Sequence, residues 1–252
     1  MKLQKLPSKI VAATAIAGLI GAAQSANAQL TNLHPSFYGS AELDTRNSQF
    51  YLPGVYVGVG GLGWSPYFNA NGYALHYQVL PQITGSDRTL SAFMPTLGMA
   101  YASRSNGLSI GGGYAFVSNE DPGAPGAEGG GTSGATASLG AYHVGRAMRS
   151  MHSQLLANYN FDSHYVWARG RASVPFGASR SHPARIGAEL VGQGGGRDGA
   201  TSSTWQAGPT LEYVWTPGLR TTAAAGYKTV DGSRFAEREN AAYFKLEFSF
   251  SP

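Results

Sequence analysis

Residues 241–250 read Ala-Ala-Tyr-Phe-Lys-Leu-Glu-Phe-Ser-Phe. Ala242, Phe244, Leu246, Phe248 and Phe250 fall on one side of an extended chain, and Tyr243, Lys245, Glu247 and Ser249 fall on the other. Successive side chains of a strand point to opposite faces, so this is a strand with one apolar and one charged face. At helical spacing the same residues would scatter around the circumference. The length carries information too, because a tilted strand needs about 9–11 residues to cross a hydrocarbon layer.

The two-residue period recurs through the chain. Phe37, Ala41 and Leu43 alternate with Tyr38, Ser40, Glu42 and Asp44. Val55, Val57 and Val59 alternate with Tyr56 and glycine, and Tyr73, Leu75, Tyr77 and Val79 with His76 and Gln78. Val166, Ala168, Ala172 and Val174 alternate with Arg169, Arg171 and Ser173. Trp205, Ala207, Leu211, Tyr213 and Trp215 oppose Thr204, Gln206, Thr210 and Glu212; Leu219, Ala223, Ala225 and Tyr227 oppose Arg220, Thr222 and Lys228. The pattern predicts strands near 36–44, 53–62, 67–80, 92–102, 108–117, 135–143, 150–160, 164–175, 184–192, 204–215, 219–230 and 241–250. Twelve is an even number, as a single-chain bacterial barrel requires. The 135–143 segment carries the weakest alternation, and ten strands is the alternative.

A soluble β-sandwich also alternates. Composition and aromatic placement argue against it. Only 13% of residues are Asp, Glu, Lys or Arg, where about 25% is usual. Tyr73, Trp205, Tyr213, Trp215, Tyr227 and Phe250 sit toward strand ends on the apolar face, where rings suit a lipid headgroup boundary. Segments 81–91, 118–134, 193–203 and 231–240 read as long polar loops, whereas 103–107 and 216–218 are tight, which is the loop asymmetry of membrane barrels. The short connection at Asp162-Ser163 departs from that rhythm. The expected fold is all-β: a closed antiparallel transmembrane β-barrel, with no edge left to hydrocarbon. A cation at mid-bilayer on the lipid face costs about 2–4 kcal/mol. Arg169, Arg171, Arg185, Arg220, Lys228 and Lys245 are therefore expected to line the lumen, with Glu42, Glu189, Glu212 and Glu247 to neutralise them. The Phe-rich final strand resembles the C-terminal signal of outer-membrane barrels, except that Ser251 and Pro252 follow the last aromatic.

The N-terminus has the parts of a secretory signal: Lys2, Lys5 and Lys9, an uncharged apolar run from Ile10 to Ile20, and Ala26-Asn27-Ala28. Cleavage is expected between Ala28 and Gln29, leaving 29–252 as one barrel domain. The run is shorter than the ~20 residues of a spanning helix. Its three lysines supply most of the formal +4 charge, so the remainder has no basic excess to attract nucleic acid. There is no cysteine, which excludes a disulfide scaffold and thiol chemistry.

Catalytic patterns fare poorly. Tyr101-Ala-Ser103-Arg-Ser105-Asn106-Gly107 looks like the His-x-Ser-Asn pattern of barrel phospholipases and lipid A deacylases, but Ser103 stands where the histidine belongs. A serine nucleophile needs a base beside it. Asn-Gly instead reads as a tight turn. His34, His76, His143, His152, His164 and His182 are scattered without metal-ligand spacing. His164 near Asp162 reads as a solvated loop end, and His152 shares a face with Gln154 and Asn158, as lumen lining. Gly111–Gly113 and Gly194–Gly196 lack the Lys-Ser/Thr of a phosphate loop; glycine inside a strand allows close backbone approach. No enzyme, cofactor or metal is expected.

Gly39-Ser-Ala-Glu-Leu-Asp44-Thr-Arg46, then Tyr51 to Gly54 and Gly72, resemble the start of the small barrels of the cellulose biosynthesis "S" family. Tyr165-Val-Trp167-Ala-Arg169-Gly-Arg171, Arg185-Ile-Gly187-Ala-Glu189 and Gly226-Tyr227 are similar to its second half. The resemblance implies a non-enzymatic accessory in a Gram-negative outer membrane. Its expected partners are membrane lipid and either cellulose-like exopolysaccharide or periplasmic parts of the synthase. A small porin-like diffusion channel and a lipid-modifying hydrolase are the alternatives, in that order.

Overall fold

The computed structural model describes residues 33–46, 48–59, 61–78, 87–119, 133–145, 151–176, 184–197, 200–232 and 239–252. The expected cleavage site at Ala28–Gln29 lies outside them. Twelve strands follow one another: β1 (Leu33–Asp44), β2 (Gln49–Val59), β3 (Gly63–Gln78), β4 (Asp87–Ala102), β5 (Asn106–Asn119) and β6 (Gly134–Val144), then β7 (His152–Asn160), β8 (Tyr165–Phe176), β9 (Ala184–Arg197), β10 (Ala200–Thr216), β11 (Leu219–Gly232) and β12 (Glu239–Phe250). Each pairs antiparallel with its neighbours in sequence, and β1 pairs with β12 to close the barrel. The segment with the weakest alternation is β6, fully paired between β5 and β7, so the count is twelve rather than ten.

The closing seam shows why the terminal segment governs the fold. Glu42 lies opposite Lys245, Ser40 opposite Glu247, and Leu43 opposite Phe244. A one-residue slip would turn every charge of the shifted strand toward lipid, so this register is strongly specified. Around the circumference the outer face carries exposed Leu97, Leu108, Ile110, Leu155, Leu190, Leu211 and Leu246. In water such a continuous apolar belt would drive aggregation; against hydrocarbon it is the stable surface.

Aromatic side chains gather toward both rims of the outer face. Trp64 and Tyr101 pack at 5.5 Å, and Tyr213 and Trp215 at 4.7 Å, near the end where the chain termini lie. Tyr114 and Phe116 pack at 4.9 Å, and Tyr159 and Phe161 at 5.0 Å, toward the other end. Trp205 and Tyr227 join that second group.

Two sequence expectations are corrected. Tyr73 faces the interior, where its ring meets Phe50 at 5.9 Å, and not the lipid boundary. Register decides this: Leu75 pairs with Phe50 and Leu90, and Tyr73 with buried Ala92, whereas Phe68, Ala70, Gly72, Ala74 and His76 face outward. Both faces of β3 hold large residues, so periodicity gives the period and leaves the phase open. The second correction concerns 193–203. β9 runs to Arg197 and β10 begins at Ala200, with ladder pairs as far as Ala200–Arg197. Gly194–Gly196 and the Ser/Thr residues following Ala200 have loop composition, yet the ladder satisfies their backbone groups and carries the hairpin past the barrel wall.

Candidate functional site in the barrel interior

The inner surface has two unlike halves. Among the described side chains of β2–β6 there is no Asp, Glu, Lys or Arg. That wall presents Tyr56, Tyr67, Tyr73 and Tyr142 with Asn69 and Asn71, over strands rich in inward-facing glycine. Tyr67 lies flat across β4 and β5. A Cβ on Gly98 would stand 2.5 Å from its ring, and one on Gly111 would overlap its hydroxyl. Gly98 on β4 and Gly111 on β5 thus make room for an aromatic plate, whose far side stacks on Tyr56 at 5.2 Å and 23°. Tyr38 extends the aromatic wall from β1 and donates to Asn69 Oδ1 at 2.8 Å.

The opposing half is ionic. Arg169 Nη1 on β8 reaches Glu247 Oε1 on β12 at 2.6 Å, and its Nη2 donates to Gln154 Oε1 at 2.9 Å. Arg171 Nη2 holds Glu189 Oε2 at 2.7 Å and Glu247 Oε2 at 2.8 Å. Lys245 pairs with Glu189 and lies 3.4 Å from Glu247. Three strands separate β8 from β12 along the wall, so these pairs cross the interior as a chord. The Glu189 side chain is 0% exposed and that of Lys245 6%. A wide water-filled channel would leave them hydrated. A second group joins Lys228 to Glu42 at 3.1 Å and to Asp44 at 3.2 Å, with Gln206 donating to Glu42 at 3.1 Å.

All ten charged residues singled out in the sequence project from the inner face by register. Eight of them fall in or beside the two ionic groups: Glu42, Arg169, Arg171, Glu189, Lys228, Lys245 and Glu247 bond within them, and Glu212 lies four residues beyond Gly208, the β10 partner of Glu189. Arg185 is bound to Ser173, through Oγ at 3.2 Å and the carbonyl at 3.0 Å, and sits opposite Glu212. Arg220 is exposed near the end carrying the chain termini. Missed in the sequence were Asp44 as a partner of Lys228 and the tyrosine wall around Tyr67. Alternation sets Tyr38 and Tyr56 opposite the apolar face, and the glycine triplet is the further hint of that wall. Several buried polar atoms of this interior have no hydrogen-bond partner: Arg169 Nε, Arg171 Nε, Asn71 Oδ1 and Glu212 Oε1.

The serines of the 103–107 turn are engaged in building it. Ser103 Oγ accepts from the Asn106 amide at 2.9 Å and donates to the Asn106 carbonyl at 3.0 Å. Asp162 and His164 take separate partners: Asp162 Oδ2 accepts from the Ala135 amide at 2.9 Å, and His164 Nδ1 meets the Tyr159 hydroxyl at 3.1 Å. His164 has a φ of 51°, which the tight β7–β8 turn imposes. His152 faces inward beside Val144 and Ser173.

This closed twelve-stranded antiparallel cylinder, with its apolar exterior and ionic interior, has the fold of the outer-membrane β-barrels. The chain is similar to the β-domain of the Bordetella autotransporter BrkA, at 11% identity and a TM-score of 0.50, covering 87% of this chain and 98% of that one. It is also matched by the KdgM porin in complex with disordered oligogalacturonate, at 12% identity and a TM-score of 0.43, over 85% and 98% of the two chains. A bacterial polysaccharide outer-membrane secretin matches at 9% identity and a TM-score of 0.41, over 88% and 98%. At these identities the likeness concerns the fold alone. No protein-family model and no curated relative matches the chain.

Proposed function

We propose that this barrel resides in the outer membrane as a non-enzymatic accessory to the synthesis or export of cellulose or a related exopolysaccharide. The observation that supports this reading is the division of the interior into a tyrosine–amide wall and an ionic wall. A flat ring such as Tyr56, backed by the buried plate of Tyr67, suits stacking on a sugar face. The buried chord of ion pairs weighs against the alternative of a permanently open diffusion channel. The resemblance of residues 39–54, 165–189 and 226–227 to the cellulose "S" barrels points the same way. Deleting the gene in its source bacterium is expected to lower deposited cellulose, read by dye binding to intact cells. Unchanged deposition would overturn the reading.

A further inference from the structure

The outer wall is apolar except in one place. Among the described strand side chains, Asp231 on β11 is the only Asp, Glu, Lys or Arg that faces outward. It pairs with Ser203 on β10, and in the next row Trp205 pairs with Thr229; the apolar belt resumes one row further in, at Ala207 and Tyr227. A charge on the lipid face is tolerated only near or beyond the bilayer boundary. The two longest connections, 79–86 and 120–133, leave this same end of the barrel, opposite the chain termini. Long connections mark the extracellular end of such barrels.

Trp205 lies flat on the wall here. A Cβ on Gly192, its partner on β9, would stand 2.7 Å from one ring carbon and 3.0 Å from two others. One face of the indole therefore covers the glycine, and the ring is 58% exposed. A hollow of about 250 Å³ opens beside it, lined by Ser203, Trp205, Thr229 and Asp231. Thr229 Oγ1 donates to Asn240 Oδ1 at 3.3 Å, which carries the polar edge on to exposed Asn240 of β12. The lipid boundary accounts for the ring. It does not account for a hollow edged by two hydroxyls, a carboxamide and an exposed carboxylate.

A pyranose has an apolar C–H face and a rim of hydroxyl groups. The open indole face matches the first, and the Asp231 carboxylate, an acceptor with two oxygens, matches a pair of adjacent hydroxyls. The same carboxylate repels phosphate and uronate groups. That disfavours the phosphate-bearing glycolipid of the outer leaflet and favours an uncharged sugar.

We propose that Trp205, Asp231 and Asn240 bind a sugar ring of a neutral, extended polysaccharide on the outer rim, holding exported glycan against the cell surface. The exported glycan as occupant rests on the accessory role proposed above; the sugar site rests on the geometry of β9–β12.

The test reconstitutes the full barrel in phospholipid nanodiscs and titrates it with cellotetraose by calorimetry. Heat-shifted mobility in SDS gels reports the closed barrel for each variant. The native barrel is expected to bind, and Trp205→Ala and Asp231→Asn each weaken binding by ~10-fold, the equivalent of one lost stacking or charge-assisted contact. Trp205→Phe keeps most of the affinity. Carboxymethylated cellotetraose binds the native barrel more weakly than cellotetraose, and Asp231→Asn narrows that gap. A heat-shifted native barrel that binds no cellotetraose overturns the site. Binding that survives Trp205→Ala and Asp231→Asn but falls with Tyr56→Ala puts the glycan in the lumen, which overturns the site and leaves the accessory role standing. Lipopolysaccharide in the nanodisc that abolishes cellotetraose binding also overturns it, because the lipid then fills the hollow. Trp205-dependent binding together with unchanged cellulose deposition on gene deletion supports the sugar site and overturns the accessory role.

Discussion

At the scale of single residues, the interior separates charges by how much water reaches them. Glu189 is fully enclosed between Arg171 and Lys245. Removing its carboxylate leaves Arg169, Arg171 and Lys245 to share the single carboxylate of Glu247, an excess of buried positive charge; breaking buried pairs of this kind costs about 3–5 kcal/mol. Glu189→Ala is therefore expected to lower the urea midpoint of the detergent-refolded barrel. Arg46 and Glu239 approach to 2.5 Å, but their side chains are 23% and 33% exposed. Water screens that pair, so Glu239→Ala is expected to cost no more than about 1 kcal/mol in the same titration. Equal losses from the two variants would contradict the picture of a dry ionic chord. These charges were legible one by one in the sequence because alternation assigned each to a face. Their pairing was not, since Arg169 and Glu247 stand 78 positions apart and meet only across the closed interior.

At the scale of the element, β12 does most to define the molecule, because it closes the ladder on β1 and shows the cleanest split of faces. Leu246 lies in its middle on the outer side, paired with Ala41 and Ala223. Leu246→Arg is expected to destabilise the inserted barrel by about 2–4 kcal/mol, measured by unfolding from bilayers. Leu246→Phe keeps the apolar face and leaves the midpoint close to wild type. An arginine tolerated there without loss would mean that this face does not meet hydrocarbon. β3 shows the limit of reasoning from one element. Its residues alternate cleanly, but Tyr73 and Leu75 belong inside and Ala74 and His76 outside, because β2 and β4 impose the phase. The β9–β10 hairpin shows another limit: glycine and serine have loop chemistry, yet ladder pairing carries the strands through Gly194–Gly196.

At the scale of the whole molecule, the chord from β8 to β12 divides the interior and is expected to set the barrel's permeability. Planar-bilayer recordings are expected to show little conductance for the native chain. The Arg169→Ala/Glu247→Ala variant removes both ends of the longest bridge, and its single-channel conductance is expected to rise several-fold. A native barrel that conducts freely, with no change on mutation, would mean that the ion pairs line a hydrated pore instead of crossing a closed one. By itself the sequence determined the fold class, the even strand number and the face of the ten charges singled out in β1 and β8–β12, because a two-residue period is a local property and a charge in hydrocarbon is too costly to be ambiguous. Tertiary structure alone decided the phase of β3, the tyrosine plate resting on Gly98 and Gly111, and the partners of each ion pair. Those features depend on register between strands and on closure of the sheet, which bring together positions whose separation along the chain carries no trace of their proximity.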